Sequence, residues 1–121
     1  YYPGESQVLY ASKAWNCLAV CAIVASEGCG IDVVSGGEIY TALQAAVSPE
    51  KLYFHGNNKS RNELEFAVAA GCTIVVDNWQ ELKTLVEIAS HRHQAVGSVA
   101  TFHPVSVMIR LTPGIECHTH E

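Results

Sequence analysis

The sequence is short of the features that nucleic-acid and membrane proteins depend on. Only 7 lysines and arginines stand against 12 aspartates and glutamates, scattered along the chain for a net charge of −5. Nucleic acids are held by clustered basic residues, so none is an expected partner. No run approaches the ~18 uninterrupted apolar residues of a membrane span, and no basic segment leading into an apolar one marks a secretory leader. No two cysteines have the Cys-x-x-Cys spacing. The five, at 17, 21, 29, 72 and 117, are odd in number and lie mostly in apolar segments, where free thiols pack as small hydrophobes. A reducing compartment is expected, the cytoplasm or, for a plant source, a plastid. Tyr1 is not a methionine, and residues are expected on both sides of this stretch.

What is present is a core-forming composition, 49% apolar and 16% charged without low-complexity tracts, as in globular α/β chains. Five short apolar runs, Gln7–Ala11, Ile31–Val34, Leu52–Phe54, Thr73–Val76 and Val105–Ile109, alternate with helical patterns. Their nearly continuous apolar character predicts parallel strands. Three of the four helices open on the spacing of a capping box, Ser35…Glu38, Ser60…Glu63 and Asn78…Glu81. Gly28 and Gly30 are expected to end the first helix and Gly71 the third. In the fourth, Leu82, Leu85, Val86 and Ala89 mark the face toward the sheet. Units of about 20 to 25 residues suit a (β/α)8 barrel, with a doubly wound open sheet as the alternative. A barrel needs roughly 200 residues or more, so residues 1–121 are read as about the first half of one, with two open strand edges and an uncovered inner face.

Barrel enzymes keep their reacting groups at the carboxyl ends of the strands. Those ends carry Ser12 and Lys13, then Asp32 and Ser35, then His55, Asn57, Asn58 and Lys59, then Asp77 and Asn78, and finally Arg110 and Thr112. Two amines, a guanidinium, two carboxylates and an imidazole on one rim suit a polar, anionic ligand. Asp32 interrupts an apolar strand, where a carboxylate is costly unless it is paired or hydrogen-bonded. Ser35 with Gly36 and Gly37 reads as a helix cap and tight turn, Asn78 as a cap, and Asp77 as an organiser of its turn. His91-x-His93, His118-x-His120-Glu121 and the Cys17, Cys21 pair each lack enough neighbouring ligands for a metal, and no metal site is expected.

Six segments in order resemble the diaminopimelate decarboxylase family, pyridoxal-phosphate enzymes of the alanine-racemase-like barrel type (fold type III). They are Tyr10-Ala11-Ser12-Lys13-Ala14, the stretch from Asp32 to Glu38, the stretch from His55 to Ser60, Val76-Asp77-Asn78, the stretch from Arg110 to Gly114, and His118-Thr119-His120. Residues from about Ser90 to Pro104 match no family segment, and Trp15 is bulkier than expected there. The resemblance implies that Lys13 is the catalytic residue and covalent anchor for pyridoxal 5'-phosphate. Asp32 would lie near Lys13 or the cofactor, His55 would line the pocket, and Arg110 would donate to a cofactor oxygen or support the rim. It further implies decarboxylation of meso-2,6-diaminopimelate to L-lysine and CO2 by a homodimer acting on a small amino acid. The phosphate loop, the acid at the ring nitrogen and the C-terminal β-domain would lie later in the chain, leaving this stretch inactive alone. The alternatives are another decarboxylase or a racemase of this barrel type, or a barrel that binds the cofactor without turnover.

Overall fold

The computed structural model describes residues 4–95, 104–111 and 113–114. The chain runs β1 (Leu9–Ala11), a 3-10 turn (Ser12–Ala14), α1 (Leu18–Ser26), β2 (Gly30–Val33), α2 (Gly36–Gln44), a second 3-10 turn (Pro49–Lys51) and β3 (Leu52–Phe54). It continues through α3 (Arg61–Ala70), β4 (Thr73–Val76), α4 (Trp79–Ala95) and β5 (Val107–Ile109). All neighbouring strands are parallel and lie in the order β1-β2-β3-β4-β5. Each strand pairs with its neighbour in the chain, so no switch point of the doubly wound kind exists among them. This is the curved wall of a (β/α)8 barrel in part, as the repeat length predicts.

Alternation along the strands divides the residues between two layers. Ile31 and Val33, Leu52 and Phe54, and Ile74 and Val76 pack against Ile39, Ala42, Leu64, Ala67, Val68, Leu85 and Ile88 of the helices in one core. The register Ala11↔Asp32↔Tyr53↔Thr73 carries the opposite, inner layer, and Thr73 Oγ1 donates to Ser106 Oγ within it at 3.2 Å. No helix of the described residues is long and apolar enough to cross a membrane.

Several expectations shift in detail. Gly28, with φ +79°, follows the end of α1 as expected, but Gly30 is the first residue of β2 and not a helix end. It is small for another reason: a Cβ there would stand 2.6 Å from Leu9 Cδ2 and 2.9 Å from the Lys51 carbonyl oxygen. β2 stops at Val33 because the Val34 N–H is taken at 2.7 Å by the Glu38 carboxylate. β1 and β5 are shorter than the apolar runs that announce them, covering Leu9–Ala11 and Val107–Ile109. In α4 the buried face is Glu81, Leu85 and Ile88, while Val86 is exposed.

The capping boxes differ most instructively. Ser60 and Glu63 form the reciprocal box. At the other two helices the cap oxygen works as expected, Ser35 Oγ accepting from Glu38 N and Asn78 Oδ1 from Glu81 N, but the glutamate carboxylate goes elsewhere. Glu38 bonds Ser12 Oγ and Glu81 bonds Lys59 Nζ, each one βα unit back. Glu63 also reaches back, accepting from Gly36 N at 3.0 Å. Three glutamates at the same helical position therefore tie successive units of the wall together.

Candidate active site

β1 delivers Lys13 to the rim on the 3-10 turn that follows it. The turn is held on both sides of the lysine. Ser12, fully buried, donates to Glu38 Oε2 at 2.6 Å, and the Tyr10 hydroxyl donates to the Trp15 carbonyl at 3.1 Å. Lys13 itself is exposed and makes no hydrogen bond or ion pair among the described residues. Its ammonium is near enough to Asp32 to act on that carboxyl electrostatically.

Asp32 points from β2 into the inner layer, one pleat away from the core residues Ile31 and Val33. His55 continues the β3 ladder through its N–H to the Val33 carbonyl at 2.8 Å, and its Nε2 stands 3.6 Å from Asp32 Oδ1. That oxygen is buried without a hydrogen-bond donor. Burial raises the Asp32 pKa; His55 and Lys13 pull it back, and the nearby Glu38 carboxylate adds to the rise. Lys13, Asp32 and His55 are thus brought together from three consecutive strand ends.

The remaining rim residues are engaged with one another. The Lys59 side chain is 1% exposed. It donates to Glu81 Oε1 at 2.8 Å and to the Gly56 and Val75 carbonyls, with its ammonium 5.4 Å from the centre of the Phe54 ring. This second amine of the rim is therefore an internal strut. Arg110 Nη1 meets Asp77 Oδ1 at 2.8 Å across the ends of β4 and β5. Asn57, Asn58 and Asn78 border an outer cleft of about 290 Å³ shared with Lys59 and Glu81. Thr112, Cys117 and the segment His118 to His120 lie outside the described residues. Among the described residues no group of three or more His, Cys, Asp or Glu is arranged to hold a metal. Glu38 is the residue that sequence reasoning missed, because its spacing from Ser35 already explained it as a cap partner. The signal was the polar Ser12 at the preceding strand end.

An aldehyde cofactor needs a reachable amine without a competing partner, in company with groups that move protons. The Lys13, Asp32 and His55 cluster fits that need, whereas Lys59 does not.

The model of the family described as "Pyridoxal-dependent decarboxylase, pyridoxal binding domain" matches residues 2–121. Diaminopimelate decarboxylase of Synechocystis sp. is 57% identical over 100% of this chain and 26% of that protein. The enzyme of Halalkalibacterium halodurans is 47% identical over 97% of this chain and 25% of its own length. The crystal structure of diaminopimelate decarboxylase from Helicobacter pylori complexed with L-lysine superposes with a TM-score of 0.83 at 31% identity, covering 98% of this chain and 28% of that one. The chain spans about a quarter of the length of the relatives it matches.

Proposed function

The chain belongs to the pyridoxal-dependent decarboxylase family, within its pyridoxal-binding domain, and from that premise we propose that it forms about the first half of a (β/α)8 barrel in an enzyme decarboxylating meso-2,6-diaminopimelate. The products are L-lysine and CO2, and the cofactor is pyridoxal 5'-phosphate. The observation that carries the reading is Lys13, the one described rim amine left exposed and unpaired, beside the half-buried carboxyl of Asp32. Relatives named diaminopimelate decarboxylase support the choice of substrate. So does the L-lysine in the complex from Helicobacter pylori.

Pyridoxal phosphate, when bound, supplies an aldehyde carbon for amines and a ring that accepts the electron pair left by a departing carboxylate. The chain's own residues prepare for it. Lys13 Nζ reacts only after losing a proton, and Asp32, whose proton affinity is increased by burial, is placed to accept one. His55 flanks Asp32 and limits where its carboxylate turns. Arg110, engaged with Asp77, supports the rim where β4 and β5 end. We assign the whole enzyme to the cytoplasm, as a homodimer. The four free cysteines among the described residues fit a reducing compartment, and the bacterial source of the relatives favours the cytoplasm over a plastid.

Borohydride reduction of the full-length protein with pyridoxal phosphate, followed by peptide mass mapping, is expected to place a pyridoxyl group on Lys13. The Lys13→Ala protein is expected to release no CO2 from meso-diaminopimelate above background. A label on Lys59 instead, or on no lysine, would sink the assignment.

A further inference from the structure

Lys13 stands beyond the end of its strand, since the ladder from β1 to β2 ends at Ala11↔Asp32. The following 3-10 turn has no side-chain cap. Beyond the ladder, the turn is fastened by the Ser12 hydroxyl, fully buried, donating to Glu38 Oε2 at 2.6 Å. The same oxygen accepts from the Val34 N–H at 2.7 Å, so one carboxylate joins the turn after β1 to the end of β2. Glu38 is itself fixed, its N–H bound by Ser35 Oγ at 3.2 Å in the first turn of α2. The Gly36 N–H beside it is held by Glu63 Oε1 at 3.0 Å. A short hydroxyl-to-carboxylate bond, here between the buried Ser12 and the half-buried Glu38, is among the stronger and more directional hydrogen bonds. It restrains the residue immediately before Lys13 while leaving the amine free.

We propose that Ser12 and Glu38 are positioning residues for Lys13, a clasp from α2 to the anchor turn that sets where the amine meets the cofactor aldehyde. The inference rests on Lys13 being the anchor. Near-attack geometry is sensitive to this kind of restraint: a misplacement of about 1 Å can cost on the order of 10²-fold in rate. A role confined to stability would lower Tm and leave the reaction of Lys13 unchanged.

The test uses the full-length protein freed of cofactor. Pyridoxal 5'-phosphate is added, and its attachment is followed by absorbance in a stopped-flow instrument across a range of pH. Ser12→Ala and Glu38→Ala are each expected to slow attachment roughly 10-fold or more, with Tm within a few degrees of the unaltered protein and the label still on Lys13. Glu38→Gln keeps an acceptor oxygen for both donors, and its attachment rate is expected to stay within about threefold. An unaltered rate in Ser12→Ala overturns the proposal, and Ser12→Ala decides the matter if Glu38→Ala does not fold. Equal losses in Glu38→Gln and Glu38→Ala also overturn it, since charge and not position would then be responsible. A failure of the functional reading is distinct: the unaltered protein itself would take no label on Lys13.

Discussion

At Lys59 an ammonium group is enclosed by a carboxylate, two carbonyls and an aromatic face, whereas at Lys13 the same group stands free at the rim. Both follow apolar strands, and nothing in their local sequence tells them apart. Glu81 makes the difference, and its role at the cap of α4 concealed it. Removing one partner of such a buried pair leaves a charge without compensation, so Lys59 is held in place and kept from reacting. Asp32 is the converse case, a carboxyl whose oxygen is buried without a donor. Burial raises its pKa against the pull of His55 and Lys13. The fold therefore favours its neutral form. The stability linked to that form is full below the ordinary carboxylate range and is lost as pH rises through the raised value. Asp32→Asn is permanently neutral, so the full-length apoprotein carrying it is expected to melt higher than the unaltered one at about pH 7. The gap should close as the pH falls toward the carboxylate range. A Tm difference in calorimetry that is constant with pH would contradict this account.

At the scale of elements, apolar runs and cap spacing located the five strands and four helices of the described residues, because burial and local backbone hydrogen bonds both leave marks in the sequence. Their exact ends were less legible. Val34 leaves β2 because its N–H donates to a side chain four residues on. Gly30 shows how one residue type serves two needs. Gly28 is left-handed at a helix exit, but Gly30 is needed for the close packing of β1 against β2 and the end of the turn before β3. Gly30→Ala would push against the Lys51 backbone, which cannot swing aside as Leu9 can. It is expected to destabilise the full-length protein by about 1–3 kcal/mol, read as a lower urea midpoint at unchanged slope. A neutral result would mean that the Lys51 backbone yields freely.

For the whole molecule, the parallel wall has an open ladder at each side, on β1 and on β5, and Val107, Met108 and Ile109 of β5 are all exposed. Unpaired apolar edges template association with other chains. The 121-residue chain expressed alone is therefore expected to self-associate, eluting in size-exclusion chromatography well above the monomer position and binding pyridoxal phosphate weakly. Elution as a monomer with a cooperative unfolding transition would show that this wall satisfies itself.

The sequence by itself determined the βα alternation, the parallel wall and the line of polar residues at the strand ends, because these follow from hydrophobic period and short-range capping. It also marked Lys13 and Asp32 as candidates, through their strand-end positions and a carboxylate set among apolar neighbours. Only the tertiary structure decided which polar groups pair. Lys59 with Glu81, Arg110 with Asp77, and Ser12 with Glu38 are joined across 22, 33 and 26 residues of chain. Such partners are chosen by how neighbouring units stack side by side, and that geometry has no local period to betray it. Lys13 is available because those pairings leave it out.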